Sequence, residues 1–147
     1  MSDLTLDPRR PILVVDDDQD HRATTSDFLR QEGYRVVEAA NGRLALEHLL
    51  AERPQPALIL LDVNMPVMTG AEVIKVLQSY LRLSRIPIVL VSVDPSAVPA
   101  SPNVVARLAK PCLLEDLLAA VQAHAQSADP APLEAVADPT GSDQDQD

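Results

Sequence analysis

Acidic side chains directly follow two apolar runs in this sequence. Three consecutive aspartates, residues 16–18, come after Ile12–Val15, and Asp62 comes after Leu58–Leu61. Oxygen ligands of this kind suit Mg²⁺, which binds through one or two carboxylates together with waters and a phosphoryl oxygen. An aspartate is also a nucleophile toward phosphorus, with which it forms an aspartyl phosphate. The pattern therefore predicts Mg²⁺-assisted phosphoryl transfer, provided that the fold brings the two runs together.

Two further apolar runs end in other polar side chains that such a site uses. Residues 88–91 lead into Ser92, and residues 104–109 lead into Lys110. A hydroxyl donates a hydrogen bond to a phosphoryl oxygen, and an ammonium group neutralises charge on the side opposite the metal. We therefore expect Ser92 and Lys110 to complete the site.

The elements that position these residues follow from the apolar runs themselves. Uninterrupted apolar runs are typical of parallel strands that are buried on both faces, and helical patterns separate them. The predicted fold is therefore α/β, a doubly wound, five-stranded parallel sheet with the flavodoxin-like order 2-1-3-4-5. This order leaves the short strand at residues 35–38 on an edge and places strands one and three side by side. Asp16 and Asp17 then face Asp62, because they lie at the ends of these two neighbouring strands.

The connection between strands four and five departs from this regular alternation. Pro95, Pro99 and Pro102 lie within eight residues of one another. Each proline inside a helix costs about 3 kcal/mol. The fourth helix of the fold is therefore predicted to be degenerate or absent.

Helical spacing predicts which side chains face the sheet. In the first helix, expected over about residues 20–32, the inward residues are His21, Thr24, Thr25, Phe28 and Leu29. In the third helix, Tyr80 and Leu81 are expected on the same buried face as Val73, Ile74 and Leu77. The three histidines of the chain show no metal-ligand spacing and are expected at the surface or at its boundary.

Composition divides the chain into three parts: a flexible arm over residues 1–10, one domain over residues 11–126, and a disordered acidic tail over residues 127–147. The tail holds six acids and no Lys or Arg, so the net charge of −10 is only −4 once these six are left out. A mildly acidic domain with 2% aromatic residues has no basic stripe. Direct binding of nucleic acid is therefore not expected.

The sequence also predicts where the protein works. It contains no apolar run of about 18 residues, so no membrane insertion is expected. Its start has no basic segment followed by an apolar one, which is the pattern of a secretory signal. A single cysteine, Cys112, excludes an internal disulfide and agrees with a reducing compartment. The expected location is the cytoplasm.

Four motifs in order give the chain a family resemblance. Residues 14–17 (Val-Val-Asp-Asp), residues 61–66 (Leu-Asp-Val-Asn-Met-Pro) with Gly70, residues 91–92 and residues 110–111 each lie at a strand end. The chain resembles the receiver domain of bacterial two-component response regulators over about residues 11–126, as a stand-alone receiver with no effector domain following.

The resemblance implies a role for each residue of the predicted site. Asp62 is the phosphoacceptor, Lys110 pairs with it and then with the phosphoryl group, and Ser92 is the switch hydroxyl. For the Mg²⁺ cofactor, the resemblance implies direct ligands from Asp17, Asp62 and the backbone carbonyl of Asn64, with Asp16 acting through water.

The resemblance also implies the partners and the kind of activity. The phosphoryl donor is a phosphohistidine on a sensor histidine kinase or on a histidine phosphotransfer protein, and an unknown downstream protein receives the signal. The chain is then not an enzyme on other substrates and catalyses only its own phosphorylation and dephosphorylation. Its phosphorelay output works through protein–protein contact.

Two features depart from the family pattern. The position three residues before the lysine is usually aromatic in receivers and is Arg107 here, and the proline-rich segment 95–102 stands where the fourth helix belongs. A guanidinium is costly to bury in an apolar slot. An atypical switch and output face is therefore expected.

Two other functions remain open on the residues alone. One is a small haloacid-dehalogenase-like phosphohydrolase with Asp16 as nucleophile and Asp18 as acid, although Asp20 stands where that family usually has Thr and the chain has no cap domain. The other is an interaction module that keeps the fold and works without phosphorylation.

Overall fold

A computed structural model describes residues 10–51, 55–63, 68–94 and 101–128. Its sheet contains five parallel strands in the order β2-β1-β3-β4-β5, which confirms the predicted topology. The strands are β1 (Ile12–Val15), β2 (Val36–Ala39), β3 (Leu58–Asp62), β4 (Ile88–Ser92) and β5 (Val104–Ala109).

Helices follow β1, β2, β3 and β5 along the chain. They are α1 (Gln19–Gln31), α2 (Gly42–Leu50), α3 (Gly70–Gln78) and α4 (Leu114–Ala128). Between β4 and β5 the described residues, 93–94 and 101–103, form bends and a turn and contain no helix. Pro95 and Pro99 lie outside the described residues.

The strands build the core because alternate side chains point to opposite faces of the sheet. On one face, Ile12, Val14 and Leu60 pack with α1 and α4 through Leu29, Leu117 and Val121. On the other face, the intervening strand residues Leu13, Val15 and Leu61 pack with α2 and α3 through Leu46, Leu49, Val73 and Leu77. The sheet is therefore covered on both sides, as its apolar runs predict.

The buried face of α1 differs from the predicted one. Thr25 and Leu29 are buried as predicted and Ser26 joins them, whereas His21 and Thr24 are exposed. The side chain of Asp18 caps the helix by accepting hydrogen bonds from the amides of residues 20 and 21. The cap holds the first turn of the helix, in which His21 is partly exposed at 47% of its side chain.

In α3 the predicted apolar face is too long. The helix ends at Gln78, and the next residue, Ser79, forms its C-cap. Tyr80 and Leu81 therefore lie beyond the helix in a turn and are 43% and 78% exposed. Val73, Ile74 and Leu77 are buried as predicted.

The ends of the chain lie largely outside the described residues. The predicted arm is described only at Arg10, and α4 continues to Ala128, so residues 127 and 128 are helical rather than part of the predicted tail. Within the described part of the chain, no helix has both the length and the apolar character needed to cross a bilayer.

The parallel register brings the carboxyl ends of the central strands to one edge. Val15 is paired with Leu61, Asp62 with Val91, and Ser92 with Ala109. The residues that follow β1 and β5, together with the last residues of β3 and β4, therefore meet there. In open parallel sheets this edge is where ligands bind.

Candidate functional site

Three carboxylates from two neighbouring strands converge at this edge. Asp16, Asp17 and Asp62 each place an oxygen within 4.8 Å of the others. Asp16 and Asp62 are buried, at 4% and 5% exposure, whereas Asp17 is open to solvent. The cluster therefore combines two fixed carboxylates with one that solvent can reach.

Lys110, which follows β5, forms an ion pair with Asp62. Its Nζ lies 3.2 Å from the Oδ2 atom of Asp62, and the lysine side chain is 28% exposed. The backbone amide of Lys110 donates to the carbonyl oxygen of Ser92 at 2.8 Å, which anchors the end of β5 to β4. The following peptide bond, to Pro111, is cis.

Ser92 ends β4 beside the acidic cluster. It is 1% exposed, and its Oγ atom accepts a hydrogen bond from the amide of Asp94 at 3.1 Å. The hydroxyl oxygen is the acceptor in this bond, so the bond itself does not use the hydroxyl proton. Asn64, whose carbonyl is expected to bind metal, lies outside the described residues.

Asp16 is held by three donors from the start of α1. Its Oδ1 atom accepts from the amide of Asp18 at 3.0 Å, and its Oδ2 atom accepts from Nδ1 of His21. Its backbone carbonyl accepts from the guanidinium of Arg22 at 2.7 Å, and Arg22 also pairs with Glu38 of β2 at 3.1 Å. The side chain of Asp16 is therefore fixed by protein groups on both oxygens.

The sequence did not identify His21 or Arg22 as parts of the site. They lie five and six residues after Asp16, a spacing that matches no metal-ligand pattern. The N-cap was a sequence signal that could have identified His21. Once Asp18 is assigned as the N-cap, His21 is the third residue of the helix and lies close to the carboxyl end of β1.

Asp18 has a structural role. Its Oδ1 atom accepts hydrogen bonds from the amides of Asp20 and His21 at 3.0 and 3.1 Å. A carboxylate that caps a helix replaces backbone partners that the first turn lacks. This use of Asp18 favours a cap over an acid that protonates a leaving group.

A small cavity lies under the acidic cluster. It has a volume of about 20 Å³, and its polar lining comes from Asp16, His21, Thr25 and Asp62. This volume is enough for about one water molecule. A larger concavity of about 440 Å³, lined by Tyr80, Leu81, Arg82 and Arg85, lies in the turn before β4, at the other edge of the sheet.

The donor set fits a hard divalent cation. Two carboxylates at about 4 Å repel each other by roughly 4 kcal/mol at an effective dielectric constant of 20. In the described residues, Lys110 is the cation paired with Asp62, and Arg22 contacts the carbonyl rather than the carboxylate of Asp16. A cation bound by oxygen atoms alone offsets this repulsion, and one or two carboxylates with water are the ligands that Mg²⁺ takes.

The sequence of the chain is similar to those of known proteins. The family model described as "Response regulator receiver domain" matches residues 12–122. Two-component response regulator ORR5 from Oryza sativa subsp. japonica is 41% identical over 81 residues, which is 55% of this chain and 60% of that protein. Sporulation initiation phosphotransferase F from Bacillus subtilis is 42% identical over 64 residues, which is 44% of this chain and 50% of that protein.

Solved structures resemble the fold over most of the chain. The chemotaxis protein CheY4 from Vibrio cholerae is 34% identical with a TM-score of 0.67, covering 78% of this chain and 98% of its own. Response regulator protein TrrA from Thermotoga maritima, solved in complex with Mg²⁺-BeF, is 26% identical with a TM-score of 0.68. That match covers 78% of this chain and 97% of TrrA.

Proposed function

The chain belongs to the response regulator receiver domain family, and on this basis we propose that Asp62 accepts a phosphoryl group with the help of Mg²⁺. The single observation that carries the proposal is the position of Asp62 between a positively charged lysine and two further carboxylates. Lys110 lies 3.2 Å from one of its oxygens, and Asp16 and Asp17 lie on the other side. Phosphoryl transfer needs this arrangement, because it depends on positioning and on neutralising charge.

The proposed step exchanges one bond to phosphorus for another. A carboxylate oxygen of Asp62 attacks the phosphorus of a phosphohistidine, so that an O–P bond forms. The N–P bond breaks, and its electron pair stays on the imidazole nitrogen of the donor. Lys110 moves from the carboxylate to the incoming phosphoryl oxygens, and the hydroxyl of Ser92 donates to one of them.

The metal would be held by this chain's own oxygen atoms. Asp17, Asp62 and the backbone carbonyl of Asn64 are the proposed direct ligands, and Asp16 contacts the ion through water. When bound, Mg²⁺ offsets the negative charge that the phosphoryl group brings into a carboxylate cluster. TrrA, which shares the fold, was solved in complex with Mg²⁺-BeF, and this supports a Mg²⁺ site in the present chain.

The proposed donor is a sensor histidine kinase or a histidine phosphotransfer protein. A segment of histidine kinase P4 from Formosa agariphila, 6% of that protein, is 35% identical to 60% of this chain, which supports a link to a histidine kinase. The chain spans about 60% of the length of the ORR5 relatives that it matches. The proposal also includes the phosphoryl donor, a downstream protein and a location in the cytoplasm. It further includes the division of the chain into arm, receiver domain and acidic tail.

One observation weighs against the phosphohydrolase alternative. That reading needs Asp16 as nucleophile and Asp18 as acid, but both oxygens of Asp16 accept hydrogen bonds from protein donors and Asp18 caps α1. Asp62 has the lysine that a nucleophile facing phosphorus requires. The geometry therefore favours Asp62 as the acceptor.

Acetyl phosphate with Mg²⁺ tests the assignment. The intact mass of the wild-type protein should rise by one phosphoryl group, and Asp62→Asn should abolish the increase while the matched variant Asp16→Asn still gains it. Label that survives in Asp62→Asn and disappears in Asp16→Asn would support the phosphohydrolase instead. No label in the wild type with acetyl phosphate or with a phosphohistidine donor would favour the phosphorylation-independent interaction module.

The output of the switch is proposed to avoid the usual fourth-helix face. Arg107 lies in β5 opposite Leu90, at a partly buried position, and the described residues between β4 and β5 contain no helix. A guanidinium does not replace an aromatic ring that moves into an apolar slot. Backbone NMR shifts with and without beryllofluoride test this, and large concerted shifts through residues 94–109 would contradict it.

A further inference from the structure

The contact between His21 and Asp16 has no part in the chemistry described so far. His21 is the third residue of α1, and its Nδ1 atom is within hydrogen-bond distance of the Oδ2 atom of Asp16. A carboxylate accepts hydrogen bonds, so the proton of this bond is on Nδ1 of the imidazole. The imidazole is 47% exposed, whereas the carboxylate is 6% exposed. A surface histidine therefore reaches a buried group of the proposed metal site.

This contact completes the set of donors around Asp16. The amide of Asp18 already holds the other oxygen at 3.0 Å. Each oxygen of Asp16 still has a free lone pair, but the two bonds fix the orientation of the carboxylate, and turning it toward a metal ion would break at least one of them. Asp17 is exposed beside it. The position of Asp16 is thus one from which it can accept a hydrogen bond from metal-bound water without moving.

The local sequence fixes the imidazole as well. The amide of His21 donates to the capping carboxylate of Asp18 at 3.1 Å, so the backbone of His21 is tied to the same loop that holds Asp16. The first turn of α1 therefore presents the ring to Asp16 through a rigid connection.

We infer that His21 is a positioning residue that keeps Asp16 out of the inner coordination sphere of the metal. The inference rests on the proposed Mg²⁺ site and assigns a residue that the site's own chemistry does not require. Through its bond to Oδ2, His21 leaves a coordination position to water or to a phosphoryl oxygen. Without His21, the carboxylate is released to turn toward the ion and occupy that position.

The test compares His21→Leu, which removes the donor, with the matched variant His21→Asn, whose amide nitrogen stands where Nδ1 stood. Mn²⁺ replaces Mg²⁺ because its dissociation constant and its number of exchangeable waters are measured by electron paramagnetic resonance and water relaxation. We expect His21→Leu to bind Mn²⁺ about tenfold more tightly, because the released carboxylate of Asp16 adds a direct ligand. Loss of an outer-shell group changes metal affinity by a factor of this size but usually weakens it. It should also lose one metal-bound water and take phosphoryl label from acetyl phosphate more slowly.

A merely structural role would give a different pattern. Loss of packing would weaken Mn²⁺ binding, lower the label rate and lower the melting temperature together, whereas the inference predicts tighter binding with slower labelling at a nearly unchanged melting temperature. His21→Asn should match the wild type in all four measurements. Unchanged or weaker Mn²⁺ binding in His21→Leu, or a His21→Asn that behaves like His21→Leu, would overturn the inference.

The proposed function fails in a distinguishable way. A wild-type protein that binds no Mn²⁺ and takes no label removes both proposals, whereas a wild type that does both, beside a His21→Leu variant identical to it, removes only the role of His21. A measurement without metal adds an independent check. Long-range ¹H–¹⁵N spectra of the wild type should show the His21 proton on Nδ1, and a proton on Nε2 alone would contradict the contact.

Discussion

Lys110 places its ammonium nitrogen 3.2 Å from Oδ2 of Asp62, although β4 lies between the strands that carry the two residues. Lys110 directly follows the last residue of β5. Its own backbone amide donates a hydrogen bond to the carbonyl oxygen of Ser92, which holds the lysine at this edge. The aspartate meets it from the last position of β3. The pair is therefore built by the sheet edge and not by a local motif, and the following predictions test what the edge does.

Lys110→Met should slow labelling by acetyl phosphate about a hundredfold, because removing one charge-stabilising group costs a transition state that much. The melting temperature should fall as well, because the substitution leaves the buried carboxylate of Asp62 without its lysine partner. Labelling rates by intact mass and scanning calorimetry measure the two effects. Lys110→Arg is the matched control that keeps the charge, and equal rates in Lys110→Met and the wild type would remove the lysine from the site.

Mg²⁺ should raise the melting temperature of the wild-type protein, because the ion relieves the repulsion among three carboxylates that only the folded chain brings together. Binding to the native state at ten times the dissociation constant stabilises it by about 1.4 kcal/mol. Asp17→Asn should remove most of the increase. Asp20→Asn is the control, since Asp20 lies in the first turn of α1 outside the cluster, and it should retain the full increase. Thermal unfolding at several Mg²⁺ concentrations gives the comparison.

Gly70→Ala should destabilise the domain and disturb Asp62 as well. A Cβ atom at residue 70 would lie 2.9 Å from Cα of Val63 and 3.3 Å from the carbonyl oxygen of Asp62, so the backbone after β3 has to shift. Overpacking of this kind costs about 1–3 kcal/mol. Denaturant unfolding and the labelling rate should therefore both report the change.

Gly33→Ala provides the comparison for Gly70. Gly33 has a φ of +99° and open space around its Cα, so alanine there is strained by about 1–2 kcal/mol without touching the site. Its stability should fall while its labelling rate stays at the wild-type value. A Gly70→Ala variant that labels as fast as Gly33→Ala would show that the β3–α3 link does not control Asp62.

Cys112 should react slowly with thiol reagents at neutral pH. Burial, and then the charge of Asp116, raises the pKa of its thiol above the ordinary value. The thiolate is the reactive form, so the reaction rate should rise with pH. The midpoint of this rise should lie at a higher pH than for an ordinary thiol. The folded chain also holds this proton more tightly than the unfolded chain. The contribution of the thiol to stability is therefore present below the pKa of the unfolded chain and is lost as the pH rises through the pKa of the folded chain.

Asp116→Asn separates the two causes of the Cys112 shift. It removes the like charge but not the burial, so it should lower the pKa of the thiol in part and speed the reaction at a fixed pH. The rate of disulfide exchange with an aromatic disulfide between pH 7 and 10 measures this. A variant with an unchanged rate profile would assign the whole shift to burial.

The sequence by itself determined the strands, their order and the edge where the site lies. Runs such as Leu58–Leu61 are apolar at every position, and only a strand covered on both faces buries such a run. The polar residues at the ends of these runs were therefore predicted to lie at the same edge, because parallel strands place all their carboxyl ends at one edge of the sheet. Asp62, Ser92 and Lys110 were therefore located before any distance was known.

Only the tertiary structure decided which side chains touch. The contact of Asp62 with Lys110 joins residues 48 positions apart, and the contact of Asp16 with His21 depends on the rotation of α1 that the Asp18 cap sets. Helical spacing placed His21 inward, because periodicity gives the width of a buried face but not its exact rotation about the helix axis. That rotation depends on capping and packing together, and it places the half-exposed imidazole of His21 against the carboxylate of Asp16.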